Sequence, residues 1–313
     1  MATSWRIVFF GTPVFAVPTL TRLFEGSDEV VAVVTQPDRR RGRGQRVFPS
    51  PVKDLALKHG GFLLQPDHAK DALFQSQLKE LHPDLFVVVA YGQILSGPLL
   101  RVPANGAINV HASLLPTYRG AAPIAWAILK GEKVTGITTM RMDAGMDTGD
   151  ILLQAEVTIG ARETYESLHD RLADLGARLL LETVTGLKAG AIRPAAQDHA
   201  KASYAPSLKK ENGWIDWDRQ AEEIDRQIRA FTPWPGAFTR WERRLLKICG
   251  GRVREGVSEG KGGLVTWVGS DFVQVATGKD FFLIEEVQLE GGKRMPVREF
   301  LLGHPVSVGT TFG

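Results

Sequence analysis

The chain has 313 residues, 43% of them hydrophobic and 23% charged, a balance that can bury a core and excludes disordered, collagen-like and coiled-coil proteins. Its 38 basic and 35 acidic side chains leave a net charge of +3, too little to coat nucleic acid indiscriminately. One cysteine, Cys249, and seven scattered histidines exclude an internal disulfide and give no zinc signature, so no metal is expected.

At roughly 150 residues per domain, two domains are expected. The longest apolar run, Leu85 to Tyr91, is far short of the ~20 residues that span a bilayer. The N-terminal run Ile7–Phe10 is broken at once by Gly11-Thr12-Pro13. No membrane span or secretory signal is readable, and a cytosolic protein is expected.

Along the first half, Arg6–Phe10, Val30–Thr35, Leu85–Ala90 and Ala107–Val110 are continuous apolar runs separated by amphipathic stretches. That alternation predicts an α/β domain with a mostly parallel sheet. The turn after the first run lacks Gly-x-Gly-x-x-Gly, and the chain has no Walker-type Gly-Lys-Ser/Thr, which weighs against a dinucleotide oxidoreductase or a phosphate loop. Residues 39–46 carry five arginines and no acid; this is either a solvated charge run or a patch for an anionic partner.

Asn109-Val110-His111 ends a predicted strand. Residues two apart on a strand share a face, so an amide and an imidazole would be presented side by side beyond the strand's carboxyl end, where open α/β sheets bind ligands. After the strand-like Ile137–Met140, the stretch 142–150 holds Asp143, Asp147 and Asp150 with Gly145 and Gly149. It lacks the terminal Glu of a calcium loop. One of its acids could instead hold the histidine in one tautomer. Asn, His and Asp with no Gly-x-Ser-x-Gly suit direct acyl transfer to an amine without a protein nucleophile.

Leu168, Leu172, Leu175 and Leu179 make one stripe of a helix ending near Gly190. From 189 to 206 the composition turns to Ala, Gly and Pro, the marks of a surface connector. The domains are therefore placed at 1–189 and 207–313, with 190–206 linking them. A helix is predicted over Arg219–Ala230, then the stiff turn Phe231-Thr232-Pro233-Trp234-Pro235-Gly236, in which proline fixes the backbone twice. Leu245–Cys249, Leu264–Val268, Phe272–Ala276 and Phe281–Val287 are short strands that suggest a small antiparallel barrel. Arg240, Arg243, Arg244 and Lys247 cluster there, as do Lys293, Arg294 and Arg298; Trp214, Trp217, Trp234 and Trp241 are expected in core or interface rather than as stacking platforms.

These motifs resemble the 10-formyltetrahydrofolate-dependent formyltransferases over nearly the whole chain. The match is carried by Phe10-Gly11-Thr12-Pro13, Thr35-Gln36-Pro37-Asp38, Gly42-Arg43-Gly44, Pro49-Ser50-Pro51-Val52-Lys53, Val89-Ala90-Tyr91-Gly92, Asn109-Val110-His111, Arg119-Gly120-Ala121-Ala122-Pro123, Asp143 with Asp147, Ile215-Asp216-Trp217 and Pro233-Trp234-Pro235. The resemblance implies a Rossmann-like catalytic domain followed by a barrel similar to an oligonucleotide-binding (OB-like) fold. It implies Asn109, His111 and Asp147 as catalytic residues, with Ser113, Leu114, Leu115 and Pro116, and Val89, Ala90, Tyr91 and Gly92, as the folate-contacting segments. 10-Formyltetrahydrofolate would be the formyl donor and the methionyl α-amine of an initiator tRNA the acceptor, in a monomeric enzyme. Arg41, Arg43 and Arg46 would reach the acceptor end of that tRNA, and Arg243, Arg244 and Lys247 would hold its phosphates. Gln45-Arg46 stands where relatives usually carry two lysines, one positive charge fewer. The alternatives are the same chemistry on another amine such as a sugar nucleotide, hydrolysis of the formyl donor, and a non-catalytic RNA-binding protein.

Overall fold

A computed structural model describes residues 4–41, 46–257 and 260–313, with only the backbone for Arg40, Arg41 and Arg46; Arg43 lies outside the described residues. Two compact units result: Met1–Pro123 with Val134–Thr158 and His169–Ala205, and Ile124–Lys133 with Ile159–Leu168 and Pro206–Gly313.

The elements run β1 (Arg6–Gly11), α1 (Val17–Phe24), β2 (Glu29–Val34), β3 (Arg39–Arg41), β4 (Arg46–Phe48), α2 (Pro51–Lys58), β5 (Leu63–Leu64), α3 (Ala72–Glu80), β6 (Leu85–Val89), α4 (Gly97–Leu100), β7 (Ala107–His111), α5 (Pro123–Lys130), β8 (Val134–Arg141), β9 (Ile151–Thr158) and α6 (Tyr165–Lys188). They continue with α7 (Ala221–Phe231), β10 (Ala237–Trp241), β11 (Arg244–Arg254), β12 (Val265–Val268), β13 (Val273–Ala276), β14 (Phe281–Leu289), β15 (Arg294–Pro296) and α8 (Val297–Gly303).

In the first unit the sheet order is β5-β2-β1-β6-β7-β8-β9. It is parallel from β5 to β7 and antiparallel from β7 to β9. Ile7–Phe10 and Leu85–Val89 are buried throughout, as an apolar run without alternation requires when a strand is covered on both faces. From Leu153 onward β9 alternates half-buried and exposed positions, as an edge strand wetted on one side should. Ser50 starts α2 by accepting a bond from the Lys53 N–H at 3.0 Å, and Asp71 starts α3 by accepting from Leu73 at 2.8 Å; each satisfies a donor that the first helical turn leaves unpaired.

β3 and β4 form a short antiparallel pair, with Arg39 opposite Phe48 and Arg41 opposite Arg46. Asp38 sits at its root, accepting from Lys53 Nζ at 2.6 Å and from Gln65 Nε2 at 2.9 Å. These bonds hold the Asp38 carboxyl below its ordinary range.

In the second unit β10-β11-β14-β13-β12, with β15 against β14, form an antiparallel, barrel-like sheet. Its register slips at Gly250 and Gly251, where a Cβ on Gly251 would stand 2.3 Å from the Leu283 carbonyl oxygen. Glycine there lets the strands approach through a bulge, which bends a long strand. α7 packs Ala221, Ile224 and Ile228 into a core with Trp217, Trp241, Val275, Phe282 and Ile284. The helix starts two residues later than predicted because Gln220 is extended and its N–H is capped by Glu223. The tryptophans divide: Trp217 and Trp241 are 3% exposed, as expected of core residues, whereas Trp214 and Trp234 are 40% and 58% exposed.

Candidate active site

β7 pairs Asn109 with Val88 of β6 on one side and with Met140 of β8 on the other. Asn109 and His111 therefore emerge at the carboxyl edge of the parallel strands, beside the turn 90–92 that leaves β6. In that turn Ala90 and Gly92 have φ of 47° and 84°. The Tyr91 carbonyl is fixed by Thr12 Oγ1 and Gln36 Nε2, both at 2.9 Å, so the ends of β1, β2 and β6 are tied together. The Tyr91 ring is buried edge-on to Phe10, and burial pushes its hydroxyl up to about 12.

The structure brings the three expected polar residues together. Asn109 Nδ2 donates to Asp147 Oδ1 at 3.4 Å, and His111 Nδ1 lies 3.7 Å from Asp147 Oδ2. The other ring nitrogen, Nε2, lies 3.0 Å from the Tyr118 carbonyl oxygen. A carbonyl only accepts, so Nε2 carries a hydrogen. The histidine is thus oriented by the loop after its own strand, and Asp147 faces the remaining nitrogen rather than fixing the tautomer alone. Asp147 Oδ2 also accepts the Gly120 N–H at 2.8 Å, so two donors hold the carboxylate and the imidazole faces it.

The loop carrying Asp147 is fastened internally. Asp143 Oδ1 accepts from the Gly145 N–H at 3.0 Å and from Thr148 Oγ1 at 2.6 Å, which commits Asp143 to the turn. A Cβ on Gly149 would stand 1.8 Å from the Arg141 carbonyl oxygen, so only glycine closes the loop onto β8. Asp147 itself has φ 53°, a left-handed conformation that Asp tolerates at a cost of order 1 kcal/mol. Among the described residues, no group of three or more His, Cys, Asp or Glu could hold a metal ion.

The segment 113–116 is built as a rigid bracket. Thr138 Oγ1 donates to the Ser113 carbonyl at 2.7 Å and accepts from the Leu115 N–H at 3.0 Å, while Gln154 Nε2 donates to the Leu115 carbonyl at 2.9 Å. Ser113 is fully buried and gives its hydroxyl to Thr117 O at 2.6 Å. Its side chain is a staple of the loop, and the accessible surface of the bracket falls to the half-buried Leu114 and Pro116.

Sequence reasoning passed over Gln197. The segment 190–206 was expected to lie over the surface as a connector, yet Ala195 exchanges two backbone bonds with Ile151 at 2.8 and 2.9 Å, and Ser203 and Ala205 bond Arg119 from both sides. Gln197 is 6% exposed and bonded to the Asp147 loop. A single Gln between Ala196 and Asp198, in a stretch rich in Ala and Pro, gives no periodic signal that could have found it.

On the second unit, β10 and β11 meet in a two-residue turn, Glu242 and Arg243, with φ of 48° and 67°, the positive values such hairpins need. The turn leaves Arg243 exposed. Arg244 lies 5.3 Å from the Trp241 ring centroid and Arg240 5.8 Å from that of Trp214. Lys247, half-buried, stands on β11 opposite Phe238.

A formyl transferase family model matches residues 5–184, and a formyl transferase C-terminal domain model matches residues 207–305. The chain is 50% identical over 311 residues to the methionyl-tRNA formyltransferase of Citrifermentans bemidjiense, spanning 99% of this chain and 97% of that protein. It is 50% identical over 307 residues to the methionyl-tRNA formyltransferase of Geobacter metallireducens, spanning 98% of each. The crystal structure of HypX from Aquifex aeolicus in complex with tetrahydrofolic acid aligns with a TM-score of 0.66 at 17% identity, over 96% of this chain and 47% of that one. The chain thus spans about half the length of HypX, and at that identity the likeness is one of fold.

Proposed function

The chain belongs to the formyl transferase family, and from that premise we propose that it transfers the formyl group of 10-formyltetrahydrofolate to the α-amine of methionyl initiator tRNA, in the cytosol and as a monomer. The observation that carries this reading is the convergence of Asn109, His111 and Asp147 at the carboxyl edge of the sheet, in a chain half identical over nearly its full length to methionyl-tRNA formyltransferases.

In the reaction the neutral amine attacks the formyl carbon, a C–N bond forms, and the bond from that carbon to N10 of the folate breaks. The amine nitrogen loses one proton and N10 gains one. Folate supplies the activated formyl group; the protein's own residues hold it, stabilise charge and move the proton. The exposed Ala90 and the half-buried Leu114 and Pro116 fit a flat, partly apolar ring with polar edges, and with Val89, Tyr91, Gly92, Ser113 and Leu115 they frame the folate site.

The Asn109 amide has two N–H donors, of which one points to Asp147. The other is available to the oxygen on which negative charge develops, and a single well-placed donor there is worth about 3–4 kcal/mol of the barrier. His111 Nδ1 and Asp147 face one another across 3.7 Å, longer than a direct bond and suited to relaying the ammonium proton through water or after a small closure. On the tRNA side, Arg41, Arg43 and Arg46 would meet the acceptor end, where a guanidinium can stack on a base and bond a phosphate. Arg243, Arg244 and Lys247 would hold phosphates.

Labelled 10-formyltetrahydrofolate, offered with initiator Met-tRNA, elongator Met-tRNA or no acceptor, tests the proposal. Label on the initiator alone is the expected result. Formate released without tRNA would make the protein a hydrolase, and no transfer to any tRNA would overturn the assignment.

A further inference from the structure

The segment that joins the two family-model regions supplies Gln197, whose every hydrogen-bonding position is occupied. Its Nε2 donates to the Asp147 carbonyl at 2.9 Å and to the Gly149 carbonyl at 2.7 Å. Its Oε1 accepts from Arg119 Nε at 3.1 Å and from Nη2 at 2.6 Å. A carboxamide turned by half a rotation would aim its NH2 at the guanidinium and its oxygen at two carbonyls, so Arg119 dictates which way the amide points. Arg119 is 2% exposed, and its Nη2 also meets His199 Nδ1 at 3.2 Å. A buried guanidinium spent on uncharged acceptors is costly, and what it secures here is the orientation of one amide.

That amide is joined to the reacting centre by a closed ring of bonds. Arg119 is followed by Gly120, whose N–H holds the Asp147 carboxylate at 2.8 Å. Gln197 holds the backbone carbonyl of the same Asp147, a residue at φ 53° that needs outside support to stay there. The carboxylate is thus fixed from the loop on one side and the backbone from the connector on the other. A displacement of about 1 Å at such a group can cost roughly a hundredfold in rate.

We propose that Gln197 is a positioning residue for Asp147 and that Arg119 acts through it by orienting its carboxamide. The proposal rests on the reading of Asp147 as catalytic.

The test is steady-state formylation of initiator Met-tRNA by the full-length protein carrying Gln197→Ala, Gln197→Glu, Gln197→Met or Asp147→Asn, and by the double variant Gln197→Ala/Asp147→Asn, with thermal unfolding of each. Gln197→Glu keeps size and strengthens the contact with Arg119 but removes the two donors. The expected result is a 10- to 100-fold fall in kcat for the Gln197 variants, with KM for folate and tRNA within threefold of wild type. In the Asp147→Asn background, Gln197→Ala should cost nothing further. Unchanged kcat in the Gln197 variants with an inactive Asp147→Asn would overturn this inference and leave the catalytic reading standing. Near-normal turnover by Asp147→Asn would sink both. A loss that appears in KM, that persists in the Asp147→Asn background, or that comes with failure of all three Gln197 variants to fold would make Gln197 structural and overturn the proposal.

Discussion

In the first unit, Asn109, His111, Asp147, Arg119 and Gln197 are buried or half-buried and bonded to one another or to backbone. In the second, Arg240, Arg243 and Arg244 stand exposed on one hairpin; Arg244 is held by a tryptophan ring and Glu242, and Arg240 by Trp214. The contrast separates two uses of polar side chains. A group that must stabilise charge at one point has to be ordered before the substrate arrives, because a mobile or hydrated donor loses its advantage in reorienting. A group that neutralises phosphate acts over several ångströms and tolerates motion, so exposure costs it little. Damage should therefore be large and local in the first region, small and cumulative in the second.

The largest effect is expected at the convergent residues. Asn109→Ala or His111→Ala should lower kcat by about 10²–10⁴-fold with the fold intact; single-turnover formylation checks this, and a near-normal rate would remove that residue from the proposed mechanism. Next comes Gly149→Ala, whose methyl has no room against Arg141. A loss of about 2 kcal/mol or more in denaturant unfolding is expected, and an unchanged midpoint would mean that the loop is not closed as described.

Arg43→Ala should raise KM for initiator tRNA by roughly tenfold, the worth of one charge-assisted hydrogen bond, while a folate titration stays unchanged; normal use of tRNA would remove Arg43 from recognition. On the second unit, Arg243→Ala and Lys247→Ala should each weaken tRNA binding a few-fold and flatten its dependence on log salt by roughly one ion. An unaltered slope in both would take phosphate binding elsewhere.

The smallest effect is at the root of the β3–β4 pair. Bonds from Lys53 and Gln65 hold the Asp38 carboxyl below its ordinary range, so Asp38 stabilises the fold fully above its unfolded value of about 3.9 and loses that contribution as pH falls through its lower folded value. Lys53→Met should cost less than about 1 kcal/mol at pH 7, with the difference from wild type closing toward pH 2. A difference that grew on acidification would refute the sign.

Much of this was readable from local pattern. Uninterrupted apolar runs marked β1, β6 and β7 because covered parallel strands exclude polar side chains from both faces, and the leucine stripe marked α6. β8 was legible only over Ile137–Met140, because Val134–Gly136 before it mixes apolar, polar and small residues and makes no apolar run. Trp214 and Trp234 were expected in core or interface and stand 40% and 58% exposed; a tryptophan's burial depends on which face of a bridge or turn it occupies, and periodicity does not report that in so short a segment. Ser113 was expected at the folate; its hydroxyl is taken by a carbonyl four residues on, a choice made by loop geometry.

From its residue order alone this chain declares two domains, their classes, a family, and three polar residues at strand-end loops, because alternation, run length and short motifs are local properties of a sequence. Tertiary structure alone decides that the His111 ring is oriented by the Tyr118 carbonyl, that Asp143 closes a turn while Asp147 faces the site, and that the connector returns to place Gln197 beneath Asp147. Each of these pairs a side chain with a backbone group whose direction is unknown until the loops close, and no spacing along the chain encodes that direction.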